Sequence, residues 1–401
     1  MKKILISSMM LASLTACSPQ DNQSDDVMAK ANEIAQQNII ADLHVDVPYR
    51  LREDYEFVGD ATERGDFDYP RAVVGGLNAP FMSIYTPAEH ERLGMAKETA
   101  DDLIDMIEAL VDQAPTKFAI ATSWSDVERH FEQGLISLPL GMENGAPIEG
   151  DLNNLDYFFE RGIRYITLAH SESNHIADSS YDEERPAGGL TEFGRSAITR
   201  MNELGIMVDI SHVSDEAFYE AIELSSAPVI ASHSSARAFT PGFERNMDDD
   251  MIRTLGEHQG VIFINYGSSF LTEAANQYRG KMQAALESFM QANGISDDDA
   301  PEAAAFRAQY IVDVPYPFAT LDDVLNHIDH VVAIAGIESV GIGSDYDGVG
   351  NTLPTDLKDV SSYPNLIAGL LQRDYSESDI KKLLSGNLQR VWQAVEREAS
   401  N

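Results

Sequence analysis

Eight short, β-rich apolar runs separated by helix-length segments, with chemically able residues directly after the runs, predict a (β/α)8 barrel. The runs fall at 39–43, 79–84, 136–140, 165–168, 207–210, 229–231, 261–264 and 339–342. Helical patterns occupy the intervals between most of them, for instance 95–111, 192–204, 215–224, 249–256 and 321–335. A doubly wound open sheet would show the same alternation, so periodicity alone does not separate the two. Placement does. His44 and Asp46 follow the first run, Glu143 the third, His170 the fourth, His212 the fifth, His233 the sixth, Asn265 and Tyr266 the seventh, and Asp345 the eighth. Barrel enzymes build their sites at strand carboxyl ends, and only closure makes the first and eighth strands neighbours. No second linker, low-complexity run or repeat follows Val27, so residues 29–401 read as one catalytic domain ending in helices.

Composition narrows the function. Acidic residues outnumber basic ones 66 to 28, a formal net charge of -38, and no stretch resembles a basic groove. Nucleic acid is excluded as a partner, and so is simple electrostatic adsorption to an anionic lipid surface. A single cysteine rules out a disulfide scaffold and any zinc site that needs several thiolates. A metal in this chain must be held by histidine and carboxylate.

The one cysteine sits at an informative place. Lys2 and Lys3 precede an apolar run at 4–14, too short to span a bilayer, which reads as a secretion signal over 1–16. The run ends in Leu14-Thr15-Ala16-Cys17, which resembles the bacterial lipobox, where cleavage before the cysteine accompanies its acylation. Ser18 follows the cysteine where an aspartate would signal inner-membrane retention. The expectation is a protein anchored by lipid on Cys17 to the periplasmic side of the outer membrane of a Gram-negative bacterium. Residues 17–28, polar, acidic and without periodicity, read as a flexible tether.

In Asp42-Leu43-His44-Val45-Asp46 the i, i+2 spacing at a strand end puts His44 and Asp46 on one face, able to grip one metal. In Gly141-Met142-Glu143-Asn144-Gly145 a carboxylate with two oxygens, able to bridge two cations, lies between glycines. Two Ser-His dipeptides, at His212 and His233, end successive strands. A lone buried histidine is usually structural; four such features on one rim point to metal.

These stretches, with Tyr165-Ile166-Thr167-Leu168-Ala169-His170, Arg245-Asn246 and Gly343-Ser344-Asp345-Tyr346-Asp347-Gly348, resemble the membrane (renal) dipeptidase family of the amidohydrolase superfamily over roughly 39–394. The resemblance implies a distorted barrel holding two zinc ions and a small dipeptide substrate. His44 and Asp46 would hold one zinc, His212 and His233 the other, and Glu143 would bridge both. Two close dications turn a shared water into hydroxide near neutral pH. Asp345 would shuttle its proton to the departing amine, His170 would polarise the scissile carbonyl, and Arg245 would pair with the substrate carboxylate, with Arg237 as competitor. Tyr266 is read as lining the pocket or closing the barrel top, and Asp347 as a turn residue.

The other histidines read as bystanders. His90, His130 and His258 are expected at the surface, His327 and His330 on the outer helical ring, and His175 near the substrate. The long excursion at 267–318 is expected to cover the mouth or to form a homodimer contact, and Asp297, Asp298 and Asp299 read as a solvated turn. The nearest alternative functions are the same machinery on an N-acyl amino acid, an L,D-dipeptide or a β-lactam. A non-catalytic binding lipoprotein is the alternative of another class.

Overall fold

The computed structural model describes residues 19–295 and 300–400, so the secretion signal, Cys17 and residues 297–299 lie outside the described residues. Eight parallel strands form one sheet in chain order: β1 (Ile40–Val45), β2 (Leu77–Tyr85), β3 (Leu140–Glu143), β4 (Ile163–Thr167), β5 (Met207–Asp209), β6 (Ile230–Ser234), β7 (Val261–Ile264) and β8 (Val340–Ile342). The sheet is closed at its carboxyl end. Asp345 N–H donates to the His44 carbonyl at 3.0 Å, and Asp46 N–H donates to the Tyr346 carbonyl at 2.8 Å. The expected (β/α)8 barrel is the observed fold.

One strand differs from expectation. The apolar run at 136–140 is two strands: Ile136–Leu138 pairs with Phe118–Ile120 in a separate two-stranded sheet, and the barrel strand starts only at Leu140. Pro139 divides them because it has no N–H to offer a ladder, although its carbonyl still accepts from Met82 N–H at 2.8 Å. Helix boundaries were more legible, since side-chain caps set them. Thr191, Ser214 and Asp248 each accept from the backbone N–H three residues on, opening Glu192–Leu204, Asp215–Leu224 and Asp249–Glu257. Thr320 and Asp323 form a reciprocal capping box before Leu321–Ala335. The helix Pro19–Gln37 begins inside the stretch expected to be a tether; its second half is held by burial of Ala31, Ile34 and Ala35.

Two apolar layers result. The larger packs the helices against the outer face of the sheet, and the smaller fills the lumen. The lumen is floored by the last helix, Asn387–Ala399, which inserts Trp392. Its indole lies 5.2 Å from the Phe81 ring, and Phe81 lies 5.6 Å from Tyr165, so an aromatic column rises from the floor towards the mouth. Gly141 leaves room for it, because a Cβ there would collide with the Tyr165 ring. All three rings are fully buried.

Removing the foot of this column leaves a cavity the closed strands cannot collapse into. Trp392→Ala should therefore cost about 3–5 kcal/mol. Chemical denaturation monitored by circular dichroism checks this, and an unchanged midpoint would mean that the floor carries little of the stability.

Candidate metal centre and active site

Seven side chains expected from the sequence to do chemistry converge at the carboxyl end of the barrel. Glu143, the last residue of β3, is at their centre. Its Oε2 lies 3.4 Å from His44 Nε2 and accepts a hydrogen bond from Ser83 on β2 at 3.1 Å. Its Oε1 lies 3.3 Å from the Nε2 atoms of His170, His212 and His233. The two oxygens thus face two different groups of imidazoles. Asp46 Oδ2 stands 3.5 Å from His44 Nε2, and His212 and His233 bring their Nε2 atoms within 2.8 Å of each other. Asp345, beyond β8, forms a third close group with His44 and Asp46.

Neighbouring groups set the orientation of these side chains. Tyr165 OH sits 2.9 Å from His44 Nδ1, and Ser232 Oγ sits 2.8 Å from His233 Nδ1. Because Ser232 donates its own proton to Asp209 at 2.6 Å, it accepts from the His233 ring, which leaves Nε2 a lone pair aimed into the site. Asn265 donates to Asp345 Oδ2 at 2.7 Å. The backbone is unusual here too. Asn144, His212 and Asp345 adopt left-handed φ of 75°, 69° and 64° at some local cost, and of these His212 and Asp345 face the cavity. Gly348 then lies so close that a Cβ would overlap both Asp46 Oδ2 and Asp345 Oδ1.

The electrostatics favour a cation. Burial opposes ionisation of Glu143, yet the surrounding histidines, His44 and His170 foremost, hold its carboxyl well below the usual range. Burial pushes Asp345 well above it, and the charge of nearby Asp46 adds to the rise. Burial drives His212 and His233 towards the neutral form. For His44, burial favours the neutral ring, but Tyr165, Glu143 and Asp46 outweigh it and raise its pKa well above 6.5. His44 Nε2, Asp46 Oδ1 and His212 Nδ1 are buried without a hydrogen-bond partner. Four imidazole nitrogens and three carboxylates packed this closely fit divalent metal binding. The groups His44–Glu143–His233, Glu143–His170–His212 and His44–Asp46–Asp345 each hold their ligand atoms within 4.8 Å of one another.

Above this centre opens a cavity of about 1260 Å³, into which Asp46, Glu143, His170, His212, His233 and Asp345 all face. The 267–318 excursion covers its mouth, contributing Phe270, Tyr278, Met282 and Tyr316. Arg245 is 3% exposed and is not part of the cavity wall: its terminal nitrogens donate to Ser234 Oγ and the His233 carbonyl, both at 2.6 Å, while Nε has no partner. Arg237 is committed to both oxygens of Asp215 and to the Asn246 carbonyl. Tyr266 does not reach the cavity either, because its ring is buried against Tyr346 at 5.9 Å. His175 pairs with Glu91 away from the site, and Asp347 is buried against Arg50 and Asp66. His130, expected at the surface, is 5% exposed because its ring bonds Ser137 of the two-stranded sheet. His327 is also buried, accepting from Ala236 N–H and facing the Leu271 carbonyl.

A family model described as membrane dipeptidase (peptidase family M19) matches residues 28–401. The chain belongs to the membrane dipeptidase family. It is accordingly a metal-dependent hydrolase acting on dipeptides. Among solved structures it is similar to the probable dipeptidase PvdM from Pseudomonas aeruginosa, 26% identical, covering 93% of this chain and 99% of that one at a TM-score of 0.81. It is similar to the metallopeptidase dipeptidase AC, 25% identical, covering 89% and 99% at 0.72. The fold is shared by a metallopeptidase from Rhodobacter sphaeroides liganded with a phosphinate mimic of L-Ala-D-Ala, 24% identical, covering 89% and 99% at 0.72.

Among members of this family, the chain owes much of its site geometry to residues that its sequence does not advertise. Ser83 and Tyr165 look like ordinary strand residues, and only the register that brings β2, β3 and β4 together with β1 gives them a role. Gly348 could be read from its Asp-x-Asp-Gly context only as a turn.

Gly348→Ala should displace the Asp46 and Asp345 carboxylates and lower dipeptide hydrolysis by about 100-fold, since displacements near 1 Å carry costs of that order. Steady-state kinetics beside a circular dichroism spectrum tests this; full activity would show that the loop yields freely. Metal affinity should rise with pH through the neutral range, because His44 binds a proton tightly in the metal-free site and must release it to become a ligand. Titration against a competing chelator at several pH values measures it, and a flat profile would contradict the reading.

Proposed function

We propose that this chain is a di-zinc dipeptidase that cleaves small dipeptides, with His44 and Asp46 on one ion, His212 and His233 on the other, and Glu143 shared. The observation that carries this reading is the Glu143 carboxylate, whose two oxygens face separate imidazole groups at 3.3–3.4 Å. Zinc bound there supplies Lewis acidity and a water acidified towards neutral pH.

The remaining work falls to the chain itself. Asp345 is the proton carrier. Its Oδ2 is fixed by Asn265, so Oδ1 is the oxygen that takes a proton from the attacking water and passes it to the leaving amine. A carboxyl raised by burial binds that proton more readily than an exposed aspartate would. His170, 17% exposed on the cavity wall with its ring tilted against that of His212 at 4.1 Å, polarises the scissile carbonyl. Arg245 would pair with the substrate carboxylate by turning out from behind the cavity wall, where its terminal nitrogens now brace the end of β6.

The location proposed is the periplasmic face of the outer membrane, with Cys17 carrying the lipid. Acyl chains hold a protein to a bilayer that its net charge of -38 alone would repel.

Asp345→Asn should retain close to two zinc ions per chain by elemental analysis while its kcat falls at least about 1000-fold, in the upper range of general acid–base contributions. A near-normal rate would remove Asp345 from the mechanism. Hydrolysis of a panel of L,L and L,D dipeptides with an N-acyl amino acid as comparator tests the substrate class, and preference for the comparator would overturn it. Cys17→Ser should move the protein from the membrane to the soluble fraction; unchanged partition would refute the anchor.

A further inference from the structure

The cavity is too large for its proposed task alone. Sites for drug-sized ligands run to about 300–1,000 Å³, and a dipeptide is smaller than such ligands, whereas this cavity measures about 1260 Å³. The excursion contributes aromatic lining to this cavity through Phe270, Tyr278 and Tyr316. Tyr278 packs edge-on to Tyr316 at 5.1 Å and donates to the Val314 carbonyl at 2.7 Å, which pins the start of the helix Tyr278–Asn293 over the mouth.

Two cationic side chains line this cavity, Arg50 and Arg279. Arg50 is already neutralised, lying 3.1 Å from Asp347 and 3.4 Å from Glu56 and donating to the Phe67 carbonyl at 3.2 Å. Arg279, exposed beside Tyr278 on the same helix, has no ion pair or hydrogen bond among the described residues. In a chain with 66 acidic and 28 basic residues, most arginines find a carboxylate, and one left unpaired in the cavity wall is a vacant anion partner. Glu53 and Asp54 also line the cavity, and Asp54 is held by Arg64, which leaves Arg279 as the arginine of the wall without a partner among the described residues.

We propose that Arg279 is a specificity-determining residue that selects substrates bearing a second carboxylate, beyond the one assigned to Arg245. This rests on the dipeptidase reading and names its substrate class. The second carboxylate is an acidic side chain on the dipeptide, since a peptide has only one terminal carboxylate. A planar guanidinium at the mouth recognises it through paired N–H donors. Its contribution lies in binding, equal in ground and transition states, so it acts on KM and leaves kcat in place.

The test compares matched substrates on the wild-type protein, Arg279→Gln and Arg279→Lys. Ala-Glu against Ala-Gln isolates the side-chain carboxylate, because the two differ only in that group. The wild type should prefer Ala-Glu over Ala-Gln by about twofold to fivefold in kcat/KM, the range of an exposed charge pair. Arg279→Gln should abolish that preference by raising KM, with Ala-Gln turnover within about twofold of wild type, and Arg279→Lys should restore part of it. An unchanged preference in Arg279→Gln, or none in the wild type, overturns the assignment. A wild type that hydrolyses neither peptide would instead refute the dipeptidase reading itself.

Discussion

Everything at the mouth of this barrel depends on the seam between its first and last strands. Two backbone hydrogen bonds, from Asp345 to the His44 carbonyl and from Asp46 to that of Tyr346, join segments from opposite ends of the domain. The buried Asp42 carboxylate reinforces them, accepting from the N–H groups of His44 at 3.1 Å and Ser344 at 2.9 Å and from the Tyr363 hydroxyl. Burial raises the pKa of Asp42, and these donors offset that cost. Without the seam, Asp345 would have no fixed relation to His44 and Asp46, and the carboxylate we propose as proton carrier would be separated from the centre.

The same device recurs across the barrel. Asp209, at the end of β5, accepts from Ser211 N–H at 3.0 Å and from Ser232 N–H at 2.8 Å, repeating the pattern of Asp42 with its own i+2 residue and the neighbouring strand. Each buried aspartate precedes a histidine of the centre in sequence, His44 by two positions and His212 by three. A carboxylate that spans two strand ends fixes backbone where the ladder has stopped, which is where the ligands must be held.

The strand-end chemistry was legible because barrels place function at one edge, so a histidine directly after an apolar run carries meaning that the same residue in a helix does not. His44, Glu143, His212 and His233 were readable on that ground. Other features depend on contacts that no local pattern encodes. Tyr165 and Ser83 act across strands, and the commitment of Arg245 to the His233 carbonyl is a matter of rotamer and burial. His130 sits among charged neighbours in sequence yet turns its ring inward. The run at 136–140 misled because apolar content does not record that Pro139 ends one ladder before another begins.

The excursion over the mouth carries a small core of its own, in which Leu286, Met290 and Ala303 are buried and Phe289 stacks on Phe306 at 4.7 Å. A segment that satisfies its own packing can change length and sequence without disturbing the aromatic column or the strand seam beneath it. Inheritance can therefore act on the two parts separately: the bond-breaking chemistry stays fixed in the barrel, while the range of molecules admitted drifts with the cover.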